Sequence, residues 1–394
     1  MSIEIENGVL KNYTEDEETV VIVPEGVTEI GYGAFAHCEN IKEVRLPESI
    51  TSIGNGAFFE CFSLEAVNIP DSVKSIGMDA FKKCRELTSI NIPEGVKIIE
   101  EDTFAYCRKL KSVIIPGSVE ELKSDAFFGC DNLEKVEFKE GLEYIGTKAF
   151  QSCTSLKSIT IPDSVRCIYE SAFNYCKSLE TVMVHDSIFI VGNMALDNTP
   201  FLDNNKEDMV FLGKRILYKY KGTGKEVDIP EGIVIISGGA FKDNAQVEKV
   251  HFPDSTAYIG VGAFSDCTSL EEIVLPKKLT FINSNLFFGC KKLKSVTIPK
   301  GVTEICGGDI GGAFAGCYSL ETVELPDGLE TIGESFLGGA FRECRNLSSI
   351  VIPASVKKMG GMTFAGCKKL VIKAPSGSYA EQFAKENNIS FIEI

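Results

Sequence analysis

Residues 64–84 read LEAVNIPDSVKSIGMDAFKKC, and variants of this pattern follow one another along the 394-residue chain. Most units are 23 residues apart when aligned on the proline of the Ile-Pro pair, a period typical of leucine-rich repeats. The aligned position holds Pro24, Pro47, Pro70, Pro93, Pro116, Lys139, Pro162, His185, Pro230, Pro253, Pro276, Pro299, Pro326 and Pro353. A repeat of this kind predicts a solenoid, which grows by adding coils instead of enlarging one globular core.

The first half of the unit has the pattern of a short strand. Val67 and Ile69 alternate with the polar Asn68, as expected for a strand that is buried on one face. Stacked units should pair these strands into a parallel sheet. The repeat proline, here Pro70, ends the strand because it has no N–H to donate to a neighbouring strand.

The second half of the unit is predicted to return the chain to the sheet. Val73 and Ile76 turn inward, Gly77 permits a tight bend, and Phe81 and Cys84 share one side of a short helical turn. The predicted fold class is therefore an α/β solenoid. We expect a right-handed, curved superhelix of leucine-rich repeats, about fourteen coils of 23 residues, with a parallel β-sheet on the concave face.

Phenylalanine occupies its repeat position in thirteen of the fourteen units, with Leu196 as the exception. The thirteen are Phe35, Phe58, Phe81, Phe104, Phe127, Phe150, Phe173, Phe241, Phe264, Phe287, Phe314, Phe341 and Phe364. One ring per coil predicts an aromatic spine in the core, with offset contacts between rings. It does not indicate a cofactor site, and no cofactor is expected.

Twelve of the fourteen cysteines also share one position. These are Cys38, Cys61, Cys84, Cys107, Cys130, Cys153, Cys176, Cys267, Cys290, Cys317, Cys344 and Cys367, with Thr199 and Asn244 in the other two units. The spacing fits neither a zinc site nor a disulfide framework. Disulfides between neighbouring coils are one alternative, but we expect reduced thiols that pack as small apolar groups and bond to backbone. Cys167 lies in a variable position, so it is predicted to be exposed and is the best candidate for a reactive thiol.

The ends and the middle of the chain depart from the repeat. We divide the chain into an N-terminal cap hairpin (1–23), a first repeat block (24–199), a linker with a β-hairpin insertion (200–229), a second block (230–370) and a C-terminal strand–helix–strand cap (371–394). In the first and third segments, residues 8–13 with 20–23, and 214–220 with 227–229, suggest strand pairs. A capping box at Ser378 and Glu381 opens the helix of the last segment. The acidic linker 197–208 is expected to be a plain loop, with calcium binding as the alternative.

Composition and motifs exclude several classes of function. The formal charge is −16, with no basic cluster, so nucleic acid is not an expected partner. There is no apolar run of the ~20 residues that a membrane helix needs, so no membrane insertion is expected. The first residues do not have the pattern of a signal peptide. No catalytic motif or metal-ligand spacing is present, and we predict a protein without enzymatic activity.

The pattern IP-x-[SG]-V-x-x-I-G-x-x-A-F-x-x-C-x-x-L-x-x-V resembles the BspA-like leucine-rich repeat proteins, from about Val20 to Cys367. The resemblance implies a bacterial surface or secreted protein that adheres to a host or cell-surface protein. It brings no catalytic residues. The absence of a visible export signal departs from that expectation.

The residue between the two inward strand positions should point out of the sheet. We call this set the outward column: Ile22, Arg45, Asn68, Asn91, Ile114, Glu137, Thr160, Met183, Asp228, His251, Val274, Thr297, Glu324 and Val351. Five members are apolar where water is expected, which favours a protein-binding surface, unless the stems of flanking residues such as Lys111 and Glu271 cover them. The alternatives are a structural spacer with contacts at the hairpin Phe211–Tyr220, or a carbohydrate-binding solenoid.

Overall fold

The computed structural model describes residues 2–14, 17–308, 311–334 and 338–394. The chain forms two compact units, residues 1–206 and 207–394. Both are stacks of coils with parallel strands, as predicted. Together they contain about 16 turns of ~23 residues, slightly more than the fourteen counted from the prolines, because each unit opens with a turn that lacks the repeat proline.

Each unit contains a first series of parallel strands, the strand ladder, formed by the residues before the repeat proline. Strands are numbered in chain order. In the first unit the strand ladder comprises β3 (Val20–Ile22), β5 (Glu43–Arg45), β7 (Ala66–Asn68), β10 (Ser112–Ile115), β12 (Lys135–Phe138), β14 (Ser158–Thr160) and β16 (Thr181–Met183). In the second unit it comprises β20 (Glu226–Asp228), β22 (Lys249–His251), β24 (Glu272–Val274), β26 (Ser295–Thr297), β28 (Thr322–Glu324), β30 (Ser349–Val351), β32 (Val371–Ala374) and β33 (Ser390–Glu393).

A second parallel series, the second ladder, was not predicted. Its two-residue strands end at the repeated apolar residue before the bend, which is isoleucine in all but three coils. In the first unit they are β4 (Glu29–Ile30), β6 (Ser52–Ile53), β8 (Ser75–Ile76), β9 (Ile98–Ile99), β11 (Glu121–Leu122), β13 (Tyr144–Ile145), β15 (Cys167–Ile168) and β17 (Ile190–Val191). In the second unit they are β21 (Ile235–Ile236), β23 (Tyr258–Ile259), β25 (Phe281–Ile282), β27 (Glu304–Ile305), β29 (Thr331–Ile332) and β31 (Lys358–Met359).

The Ala-Phe-x-x-Cys segment is not the short helical turn that the sequence predicted. Phe35 N–H donates to Ala57 O at 2.8 Å and His37 N–H donates to Phe59 O at 2.8 Å, so alternate residues bond to the next coil. The intervening N–H groups stay within the coil, as in Cys38 N–H to Phe35 O at 3.1 Å. This alternation requires positive φ at His37 (63°), which a right-handed helix does not allow. We call this third series of inter-coil bonds the turn ladder.

The phenylalanine column forms the predicted spine within each unit. Neighbouring rings from Phe35 to Phe173 are stacked at centroid distances of 5.0–5.5 Å. Those from Phe241 to Phe364 lie 4.7–5.6 Å apart. Rings at this spacing add to the stability that comes from burying their apolar area.

Each unit begins with an antiparallel hairpin whose second strand joins the second ladder. In the first unit β1 (Ser2–Glu6) pairs with β2 (Val9–Thr14), and Leu10 of β2 aligns with Ile30 of β4. The suggested pairing of residues 8–13 with 20–23 is wrong, because β3 pairs with β5 instead. In the second unit β18 (Met209–Leu212) pairs with β19 (Ile216–Tyr220), while β20 pairs with β22 and not with the hairpin. Tyr13 and Tyr220 stack on the first phenylalanine of their units, at 5.2 and 5.0 Å.

The C-terminal segment has the predicted strand–helix–strand order. The Ser378 side chain accepts a hydrogen bond from Glu381 N–H and caps helix α2 (Tyr379–Glu386). Glu381 in turn accepts from Gly377 N–H at 2.7 Å, a variant of the capping box in which the second donor lies one residue earlier. The Tyr379 hydroxyl accepts from Met359 N–H at 3.3 Å, so this helix also covers the last strand of the second ladder.

Candidate functional site

The strand ladder places the outward column on one face within each unit. Apart from Asn91, its members occupy the middle or end of their strands, and all are exposed except Glu137, which is half-buried. The reason is the two-residue period of a strand: Val21 and Val23 point into the core, so Ile22 between them points out.

Five apolar members of the outward column remain open to solvent. Their exposed fractions are 60% for Ile22, 53% for Ile114, 53% for Met183, 79% for Val274 and 49% for Val351. The stems of flanking residues therefore do not cover them. Glu271, next to the column, bonds instead to Lys294 along its own series, with Lys294 Nζ 2.9 Å from the carboxylate.

Each apolar member has a polar or charged neighbour in register on an adjacent strand. These pairs are Ile22 with Arg45, Ile114 with Glu137, Met183 with Thr160, Val274 with Thr297, and Val351 with Lys373. The structure therefore does not join the five into one apolar patch. It distributes them as single anchors among polar side chains.

Several polar members are already held by neighbours. Asn68 bonds to both backbone groups of Leu46, accepting from its N–H at 2.9 Å and donating to its carbonyl oxygen at 3.1 Å. Arg45 Nε donates to Glu43 at 2.7 Å. The Asn68 side chain thus stabilises the sheet, and its amide is less available to a partner than its position suggests.

Glu137 sits between two lysines of its own strand region. Lys139 Nζ and Lys135 Nζ lie 2.6 and 3.3 Å from its carboxylate oxygens. The hydrogen bond from Lys139 is the main cause that lowers the pKa of Glu137. This group of charges lies beside Ile114, the apolar member that aligns with Glu137.

The polar members of the second unit lie on the same series of strands. Asp228 aligns with His251, and Thr297 aligns with Glu324, whose carboxylate accepts from the Thr297 hydroxyl at 3.4 Å.

Asn91, in the first unit, lies between β7 and β10 and outside any strand.

The second ladder presents another outward face that the sequence did not reveal. In the first unit Tyr144 and Ile190 lie in this ladder and Tyr169 and Phe189 are next to it in sequence. Phe189 lies under the Arg166 guanidinium at 5.7 Å. In the second unit Tyr258 and Phe281 meet edge to face at 5.9 Å. The residue before each repeated isoleucine was the available signal, because it alternates with that buried position.

Cys167 is buried, so the prediction that it is exposed is wrong. It is the first residue of β15, between Tyr144 and Ile190, and the nearby Tyr169 also contacts it. Burial raises the pKa of the Cys167 thiol, which lowers its reactivity.

The column cysteines are free thiols that bond to backbone, as predicted. From Cys61 onward they donate to the carbonyl oxygen of the phenylalanine one coil earlier, at 3.0–3.3 Å. Thr199 and Asn244 keep a donor in the same position, with bonds to Leu196 O at 2.6 Å and Gly222 O at 2.9 Å. The position therefore selects a small donor, and burial raises the pKa of Cys176 and of Cys267 to about 12.

The linker contains the short helix α1 (Pro200–Asp203), capped by Thr199, where a plain loop was predicted. Within residues 2–14, 17–308, 311–334 and 338–394, no group of three or more His, Cys, Asp or Glu side chains is arranged to hold a metal ion. In that same part of the chain, no helix combines the length and apolar character needed to cross a membrane.

Comparison with known proteins gives one family. The profile of the BspA type leucine-rich repeat region matches in six copies, over residues 4–134, 74–203, 213–336 and 308–393. No curated protein matches the chain.

Two solved structures are similar to this chain. A leucine-rich repeat protein from Bacteroides ovatus is 28% identical, with a TM-score of 0.52 over 100% of this chain and 97% of its own. A leucine-rich cell surface protein from Faecalibacterium prausnitzii is 28% identical, with a TM-score of 0.45 over 99% and 98% of the two chains.

Proposed function

The chain belongs to the BspA type leucine-rich repeat family, and from this premise we propose that it is a non-catalytic scaffold that captures a protein partner on its outward column. The fold is a general protein-interaction scaffold. The resemblance to surface proteins of this family suggests an adhesive role, with a host or cell-surface protein as the partner.

The observation that carries this proposal is the exposure of single apolar side chains among charged neighbours. Val274 is the most exposed of the five apolar members, and Met183 and Ile114 are each more than half exposed. Apolar anchors surrounded by polar groups are the usual arrangement of an interface whose binding energy comes from a few residues.

A photo-crosslinking side chain at Met183 tests the proposal. Tyr175, exposed on the turn ladder of the preceding coil, is the matched control position. We expect covalent capture of a partner from position 183 and not from position 175. Once purified, the partner should bind the double variant Glu137→Lys/Met183→Asp at least about tenfold more weakly, a difference of about 1.4 kcal/mol, and should bind Tyr175→Asp normally.

The double variant is expected to keep nearly the thermal midpoint of the wild type, because Met183 is exposed and ion pairs of exposed lysines, such as those of Glu137, contribute at most about 1 kcal/mol. Wild-type affinity of a folded double variant would reject the outward column as the binding surface.

The runner-up, a spacer that uses the hairpin Phe211–Tyr220 for its contacts, has less support. Leu212, Ile216, Leu217 and Tyr218 of this hairpin are buried. Its strand β19 pairs with β21 and begins the second ladder of the second unit, so deleting the hairpin would damage folding and could not separate a binding role from a structural one.

A further inference from the structure

Within the second unit, the N–H groups of the turn ladder are paired with carbonyl oxygens of the following coil. Phe314 N–H donates to Ala340 O at 2.7 Å, and Phe341 N–H donates to Thr363 O at 2.9 Å. Glu343 N–H donates to Ala365 O at 2.7 Å in the same way. Each coil therefore directs these N–H groups toward the coil that follows it.

The last coil has no following turn to accept these bonds. The N–H groups of Phe364 and Gly366 take the positions of Phe341 and Glu343, and they have no acceptor among the described residues. Phe364 is buried. Backbone N–H groups in proteins bond to backbone, to side chains or to solvent, so the acceptor at this end of the unit is taken from solution.

Phe364 and Gly366 both line a cavity of about 380 Å³. The C-terminal cap also lines it, through the buried Phe383 and the exposed Asn387, Asn388 and Ser390. The volume is ample for a small polyatomic ion, since a water molecule occupies about 30 Å³.

One charged side chain lines the cavity, and two others lie near it. Lys368 lines the cavity. Glu343 approaches Gly366 from outside the cavity, and its carboxylate is held by Arg345 Nε at 2.9 Å. Lys369 is close by but does not line the cavity.

We propose that this cavity is a binding site for a small oxyanion of the phosphate or sulfate class. Oriented backbone N–H groups make anion-binding concavities in proteins, and here Phe364 and Gly366 supply two such donors while Lys368 supplies the positive charge. The site lies at the end of the turn ladder and is independent of the outward column.

Amide-resolved NMR of the full chain tests this site with inorganic phosphate, titrated against chloride at constant ionic strength. We expect the Phe364 and Gly366 amide resonances to shift and saturate in the millimolar range. The Phe341 and Glu343 amides, which already have acceptors, should stay in place. Sulfate should compete with phosphate for the same shifts.

Two lysine variants make the test specific. Lys368→Ala should raise the dissociation constant about two- to fivefold, as expected for the loss of an ion pair with an exposed lysine, while Lys369→Ala removes the same charge and should leave it unchanged. The proposal is overturned if the two amides do not move, if chloride moves them equally, or if both variants weaken binding alike. Unchanged resonances elsewhere in the spectrum confirm that each variant is folded.

Discussion

The Cys61 thiol donates a hydrogen bond to the carbonyl oxygen of Phe35, one coil earlier, at 3.0 Å. The same oxygen accepts from Cys38 N–H at 3.1 Å, so this carbonyl joins a bond within its coil to a bond from the next. Cysteine suits this position because it is small and apolar yet keeps a donor. The cysteine column is thus a structural device that links the coils.

The value of this bond can be measured at Cys107, which is fully buried and donates to Phe81 O at 3.2 Å. We expect Cys107→Ala to lower the free energy of unfolding by about 1–2 kcal/mol, through the lost bond and the small cavity. Cys107→Ser should cost less, because its hydroxyl can still donate. Urea unfolding followed by circular dichroism gives both values, and equal losses for Ala and Ser would show that the donor has no role.

Alkaline pH should destabilise the protein through the same column. Burial raises the pKa of Cys176 and Cys267 from the ordinary 9.0 to about 12. The folded state therefore retains these protons where the unfolded state loses them. Their contribution is complete below about pH 9 and declines between pH 9 and 12, by about 1.4 kcal/mol per pH unit for each thiol.

Urea unfolding at pH 7, 8, 9 and 10 measures this loss of stability. Tyrosines and lysines titrate in the same range, so the double variant Cys176→Ser/Cys267→Ser is the control, and its stability should fall less steeply above pH 9. Identical slopes for the variant and the wild type would contradict the prediction.

The phenylalanine spine should tolerate leucine better than alanine. Phe127 stacks between Phe104 and Phe150, at 5.1 and 5.2 Å, and Leu196 already fills the equivalent position of another coil. We expect Phe127→Ala to cost about 3–5 kcal/mol and Phe127→Leu about 1 kcal/mol. Hydrogen exchange should show lost protection first in the neighbouring coils, since a coil contacts only its neighbours. Uniform loss across the first unit would argue against this local coupling.

The sequence predicted those features that repeat strictly from coil to coil. The strand ladder, the phenylalanine spine and the reduced cysteine column all follow from side chains that must match the same neighbour in every coil. The second ladder did not follow, because a two-residue strand has too short a pattern to identify by alternation. The turn ladder was missed for another reason: His37 and Lys83 adopt positive φ, which is unusual for such residues and is maintained here by bonds to the next coil.

The hairpin at the N-terminus had a signal that the repeat obscured. Asn7-Gly8 forms its turn, with φ of 51° and 80°, and Asn-Gly is a strong hairpin signal. The exposure of the outward column was predictable from strand alternation, whereas the bonds of Asn68 and the lysines around Glu137 depend on side-chain geometry that the repeat pattern does not fix.

The structural role of Asn68 and the binding role proposed for Ile114 can be distinguished by experiment. Asn68→Ala should lower the free energy of unfolding by about 1–3 kcal/mol, because Leu46 loses partners for both its N–H and its carbonyl group. Ile114→Asp should leave stability within about 0.5 kcal/mol, since its side chain is more than half exposed. If the outward column binds the partner, affinity should change in the opposite order. Ile114→Asp should weaken binding of the partner, whereas Asn68→Ala should weaken it only in proportion to the fraction of protein that is unfolded. Thermal unfolding and surface plasmon resonance on the same two purified variants give the comparison. A stable Asn68→Ala variant with poor capture would place Asn68 among the contact residues, against the structural role argued here.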